Sequence, residues 1–263
     1  MQLKKVIEFI VFSNVWISLG AVGVVLSTYF YTESDVDLLV IILVFFSTLF
    51  GYNLQNISQR VIHNHRFNQI LWCQSNNKLI KWIVFVSFLI SVFLSFYIMN
   101  IYLIIISIPF FGLVFFYRNA FSSKFQIRNI PFFKILIISF CWSWTCCALP
   151  QLISSSIFNW NITLIIFIYV FAITIPFDIR DMTIDKKKIY TIPQFTGSRV
   201  AFIISQLSII SLFFFALYLS NYLVCFFMIM TNLVLIPSLK MKSELYYLFV
   251  LDGLLVISPI FIS

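Results

Sequence analysis

A chain of 263 residues with 62% hydrophobic and only 10% charged residues is too apolar for a soluble domain of this size, and it reads as an all-α polytopic membrane protein. Its net charge of +8 is accounted for by membrane orientation, which removes nucleic acid from the expected partners. The five cysteines are odd in number, lie mostly in apolar runs and lack metal-ligand spacing, so they read as packing residues.

Taking about 20 apolar residues as one crossing, the chain offers nine candidate spans, at residues 4–31, 38–58, 79–98, 100–117, 131–149, 159–178, 199–219, 221–239 and 244–262. The first exceeds a signal-peptide core and is followed by Thr32-Glu33-Ser34-Asp35 rather than a small-residue cleavage site, so it is expected to be retained. All 17 Lys and Arg residues cluster at the start of the first span or around alternate connections, whereas the first connection on the other side carries Glu33, Asp35 and Asp37. The bias predicts a cytoplasmic amino terminus and an outer carboxyl terminus, as in a multi-pass protein of a bacterial inner membrane. The longer connections, about 59–78, 118–130 and 179–198, share the cytoplasmic side, where function is expected to sit.

The second span ends in GYNLQNISQRVIHNHRFNQ, with Asn53, Asn56 and Arg60 at offsets 0, 3 and 7. Such residues either satisfy a helix end and reach to the interface, or form half of a polar site in which the amides ligate through oxygen and the guanidinium pairs with phosphate. His63 and His65 stand two apart, which points them away from each other on a helix, and they read as interfacial. Tyr117 and Arg118, with Lys124 and Arg128, form a third basic cluster that suits either lipid headgroups or a diphosphate.

The strongest chemical signal is PFDIRDMTIDKKKIYTIP at the end of the sixth span. Asp178, Asp181 and Asp185 repeat the offsets 0, 3 and 7, which lie within roughly 60° on a helix, so three carboxylates share one face. Their repulsion calls for a cation, and oxygen ligands next to Lys186, Lys187 and Lys188 point to Mg2+ carrying a phosphate-bearing substrate. Membrane-surface anchoring is the other use of those lysines. Asp252 lies mid-span in YLFVLDGLLVIS and is expected to be protonated or partnered, holding a neighbouring helix.

The run DIRDMTIDKKKIYTIPQFTG resembles the second aspartate motif of the UbiA superfamily of intramembrane prenyltransferases, through Asp178, Asp181, Asp185, Lys186 to Lys188, Thr191, Pro193 and Gly197. The span layout extends the likeness over nearly the whole chain. Where the family carries the carboxylates of its first motif, this sequence has Asn53, Asn56 and Arg60. The resemblance implies one transmembrane domain over residues 1–263, with helices around a central cavity open to the cytoplasmic side. It further implies Mg2+ on Asp178, Asp181 and Asp185, and catalytic roles for these and for Asn53, Asn56 and Arg60. A prenyl diphosphate would be held by Arg60, Arg66, Tyr117, Arg118, Lys124 and Lys186. The reaction so implied passes an isoprenyl group to a lipophilic acceptor within the bilayer. Its alternatives are acceptor-free terpene cyclisation on the same scaffold, and an isoprenoid-binding membrane protein without turnover.

Overall fold

Within hydrocarbon each backbone N–H and C=O must be satisfied inside its own segment or by a neighbour, which leaves helices or closed barrels. A computed structural model of the chain describes residues 2–57, 68–117, 130, 132–154, 158–182 and 191–262, and all regular structure among them is helical. The helices are α1 (Gln2–Phe12), α2 (Val15–Tyr31), α3 (Leu38–Ile57), α4 (Asn68–Ser75), α5 (Asn77–Ile98), α6 (Ile101–Tyr117) and α7 (Phe133–Ser143). They continue with α8 (Leu149–Ser154), α9 (Trp160–Asp181), α10 (Ile192–Thr196), α11 (Ser198–Tyr218), α12 (Tyr222–Leu235) and α13 (Asp252–Ile257). Among the described residues six helical stretches are long and apolar enough to cross a bilayer, or seven if the bent pair α1 and α2 counts as one. At the two remaining expected positions lie shorter apolar helices, Ile101–Tyr117 and Tyr246–Ile260. The protein is an integral, multi-pass membrane protein.

The first apolar run is not one straight rod: Lys4–Phe12 and Val15–Tyr31 meet at 65°. The break falls at Ser13-Asn14, where Asn14 takes a left-handed conformation with φ 62° that Asn tolerates better than most residues. Large apolar side chains such as Phe93, Phe96, Tyr102 and Trp160 are exposed on the outside, as surfaces that face lipid tails require. The interior is built where α2, α9, α11, α12 and the last apolar helix meet, around Ala21, Val24, Tyr169, Ile209, Phe227 and Leu251.

Prolines inside helices remove the donor for the carbonyl four residues back. At Pro150 that carbonyl is Cys146 O, and the Thr28 hydroxyl of α2 donates to it at 3.1 Å. The turn before it, Trp144–Ala148, is a π-helical segment that joins α7 to α8. At Pro176, inside α9, the released carbonyl is Ala172 O, which accepts a hydrogen bond of 2.7 Å from Ser205 of α11. A second π-helical segment, Tyr246–Leu251, leads into α13, and the Trp16 indole donates to its Phe249 carbonyl at 3.0 Å.

Helix α2 meets α13 through glycine. A Cβ added at Gly23 would lie 2.3 Å from Leu255 O and 3.0 Å from Val256 O, so the two backbones approach too closely for any side chain there. Gly112 in α6 has no neighbour within 4 Å of such a Cβ. Gly23→Ala is therefore expected to force α2 from α13 and lower stability by about 1–3 kcal/mol. Gly112→Ala should be neutral or stabilising by up to ~1 kcal/mol. Denaturation of the two variants in detergent, followed by circular dichroism, checks the contrast.

Candidate functional site

Asp178 and Asp181 sit one turn apart at the end of α9, just after the Pro176 break that Ser205 repairs. Asp178 is buried, with 1% of its side chain exposed, and Asp181 is partly open at 19%. Both face the start of α7, from which Lys134 reaches in. Its Nζ lies 2.5 Å from Asp178 Oδ1 and 3.8 Å from Asp181 Oδ2. The two carboxylates therefore do share a face, and they converge on one cationic position. Apolar contacts among Ile135, Ile175 and Ala201 fix α7, α9 and α11 beside this pair.

In the sequence Lys134 lies inside the expected 131–149 span, flanked by FF and ILII, which is a signal for a buried charge as well as for an orienting cation. Two residues before it, Phe132 adopts φ 63°, a left-handed conformation costly for an aromatic residue, and its ring meets Phe195 edge-on at 5.5 Å. Phe195 belongs to α10, which carries the Thr-x-Pro feature. Thr191 N–H donates to Gln194 Oε1 at 3.3 Å at the start of that helix, and Gly197 with φ 85° turns the chain from α10 into α11. The sequence feature thus builds a helical elbow that packs on α9 and α11.

Arg180 completes this end of the bundle. Its Nε donates to Asp181 Oδ1 at 2.8 Å, and its guanidinium lies 5.1 Å from the Tyr247 ring centre and 5.4 Å from that of Phe177. Cation–π contact with the two rings holds the guanidinium at the aromatic wall. Asp252, from α13, is within electrostatic reach of the same guanidinium and of the Tyr52 hydroxyl, which accepts a hydrogen bond from Trp142 at 3.1 Å.

Asn53 and Asn56, the described members of the second polar set, have hydrogen-bond partners of their own. Asn53 is wholly buried; its amide donates to Ser13 O and Leu49 O, both at 2.9 Å, and accepts from Asn14 Nδ2 at 3.0 Å. Asn56 donates to Cys73 Sγ at 3.6 Å. Among the described residues the hydrogen bonds of both run to the α1–α2 break and to α4, not to the aspartates. The network continues through Gln69, which donates to Asn14 Oδ1 at 3.0 Å, and ends on Glu244, whose carboxylate accepts from the backbone N–H of Asn68 at 2.6 Å and Gln69 at 3.2 Å. Arg60, Arg66, Arg118, Lys124, Asp185 and Lys186 lie outside the described residues. Tyr117 closes α6 and is within electrostatic reach of Tyr52.

Among the described residues no three His, Cys, Asp or Glu side chains gather as a metal cluster. The donor chemistry of Asp178 and Asp181 nevertheless fits a hard cation, because two carboxylates converge where a positive charge already stands. A small apolar pocket, lined by Tyr31, Ile165, Leu212, Phe215 and Ile262, lies toward the opposite end of α9 and is remote from this chemistry.

No protein-family model and no curated protein matches the sequence. Solved structures do match. A UbiA homologue from Archaeoglobus fulgidus superposes with a TM-score of 0.64 at 11% identity, over 97% of this chain and 98% of that one. The chain has the UbiA fold. A UbiA homologue from the same organism bound to DMAPP and Mg2+ gives 0.63 at 12% identity, again over 97% and 98%. The apo structure of a UbiA homologue from Aeropyrum pernix K1 gives 0.59 at 16% identity, over 97% and 96%. The likeness in fold thus extends over nearly the whole chain.

Glu244 precedes the last apolar helix and clamps α4 onto the bundle. Burial pushes its carboxyl above the ordinary range, and the two backbone donors oppose the shift without cancelling it. The docked state thus binds more protons than one in which Glu244 returns to water, so docking weakens as pH rises from the ordinary carboxylate value through the raised one. Hydrogen exchange of α4, corrected for intrinsic rates, should show falling protection over that interval. Glu244→Gln should abolish the pH dependence.

Proposed function

We propose that the chain is an Mg2+-dependent intramembrane prenyltransferase, which moves an isoprenyl group from a prenyl diphosphate to a lipophilic acceptor. The observation that supports it is the convergence of Asp178 and Asp181 on one cation position at the end of α9, within a fold shared with a homologue whose structure holds DMAPP and Mg2+. In this reading Asp178, Asp181 and Asp185 hold the metal, which when bound neutralises charge on the departing diphosphate. Lys134 and Arg180 supply further positive charge at this end of the bundle. Arg60, Arg66, Tyr117, Arg118, Lys124 and Lys186 gather the diphosphate from the basic rim. Asn53 and Asn56 act by holding the α1–α2 break and α4 in place, since their amides are engaged there.

The aromatic interior serves the organic half of the substrate. Phe177 and Tyr247, 5.7 Å apart, form an aromatic wall around Arg180, the partner of Asp181, and Tyr52 and Trp142 pair through the indole N–H and the phenol. Such a wall excludes water and tolerates a developing allylic cation. The carbon–oxygen bond breaks with its electrons on the diphosphate, the acceptor forms the new bond to carbon, and the acceptor loses a proton. The basic end of the bundle is proposed to face the cytoplasm of a bacterial inner membrane, on the distribution of Lys and Arg.

Purified protein in lipid nanodiscs, given prenyl diphosphates of several lengths with Mg2+ and a panel of quinone and phenol acceptors, should release diphosphate only when an acceptor is present. Asp178→Ala and Asp181→Ala should each lower the rate on the order of 100-fold or more. Release that both changes leave untouched removes the assignment. Cyclic products formed without acceptor would move the reading to a cyclase.

A further inference from the structure

We infer that Lys134 is a resident counter-cation which holds Asp178 and Asp181 in the metal-free protein and passes to the diphosphate when metal and substrate arrive together. The inference rests on the diphosphate and metal reading of the α9 end given above. Its geometric basis is independent of that reading. Lys134 is itself buried, at 7% exposure, and its ammonium lies against the carboxylate of a residue exposed by only 1%. The second carboxylate is 3.8 Å from the same nitrogen.

Two cations cannot share that position. A divalent ion bound to oxygen at about 2.1 Å would stand within a few ångströms of the ammonium and repel it strongly in a medium of low polarity. The ammonium must then move, and it needs another anion in reach because a buried unpaired charge is costly. A diphosphate provides that anion, and the four-carbon stem of Lys lets the charge swing over several ångströms without moving the helix. Packing of Ile135 against Ile175 and Ala201 holds the start of α7, which leaves the Lys side chain as the part free to swing. Metal alone leaves the ammonium unpaired and diphosphate alone competes with the carboxylates for it, so each ligand binds better when the other is present, and the coupling is reciprocal.

The test measures each ligand separately. Mn2+ binding to the full chain in nanodiscs is followed by electron paramagnetic resonance without substrate. Binding of the thiolo analogue of dimethylallyl diphosphate is measured by calorimetry in chelator. Lys134→Met should bind Mn2+ alone at least tenfold tighter than the native protein and the analogue at least tenfold weaker. A merely structural lysine would weaken both when removed, so unchanged or weaker Mn2+ binding overturns the inference. Should Lys134→Met fail to fold, Lys134→Arg decides: its guanidinium still occupies both carboxylates, so Mn2+ alone should bind no tighter than to native protein, and tighter binding overturns the inference. If native protein binds Mn2+ and Asp178→Asn abolishes it, yet Lys134→Met does not tighten it, this inference fails while the metal reading stands. Absence of Mn2+ binding in both native protein and Lys134→Met defeats the two together.

Discussion

An ammonium and a carboxylate buried against each other, Lys134 on α7 and Asp178 on α9, set the terms for this end of the bundle. Such a pair adds little net stability, because desolvating both charges offsets their attraction. Losing one partner is another matter and costs about 3–5 kcal/mol, since the other charge then remains in a place without water. The pair therefore acts as a registration pin: α7 and α9 cannot slide or rotate past each other without separating it. The Pro176 break, the Ser205 bond to Ala172 and the strained turn at Phe132 all lie within a few residues of the pin. Arg180 extends the arrangement sideways through Asp181 to the aromatic wall of Phe177 and Tyr247.

Backbone groups freed at the helix breaks meet the same requirement for a partner in hydrocarbon. Hydroxyls from neighbouring helices take up the carbonyls that prolines release, as Thr28 does for Cys146 and Ser205 for Ala172. Amides do likewise at the Ser13-Asn14 break, where Asn14, Asn53 and Gln69 form a chain that ends on the Glu244 carboxylate. Each repair ties two helices together at a point where one of them is weak. Breaks in the helices are in this way converted into the contacts that fix the bundle.

How much of this was legible in the sequence can be judged residue by residue. Hydropathy located the apolar stretches because about 20 apolar residues leave few alternatives, although among the described residues six or seven rather than nine are long enough to cross; the offsets of Asp178 and Asp181 put them one turn apart, where both meet Lys134. Spacing says which residues share a face but not what lies opposite, and for that reason Asn53 and Asn56 suggested a facing half-site while the hydrogen bonds take them to Asn14 and Cys73. Averaging over a window hid the bend, since one Ser-Asn pair barely lowers the hydropathy of a run from 4 to 31. Lys134 was seen as a charge and assigned to orientation; its partner, 44 residues away in sequence, is a tertiary fact that no local pattern carries.

The shorter helices have a consequence for how the protein meets the lipid. Helix α2, with 17 residues, is about 26 Å long, and the last apolar stretch it packs against, Tyr246–Ile260, is shorter still. Helices α5 and α9, with 22 residues each, measure about 33 Å. The short pair lies largely inside the bundle, whereas α5 turns Phe85, Phe93 and Phe96 outward. The match to bilayer thickness is therefore set by long outer helices such as α5. Helices of the interior can shorten, bend or break without presenting a mismatch to lipid.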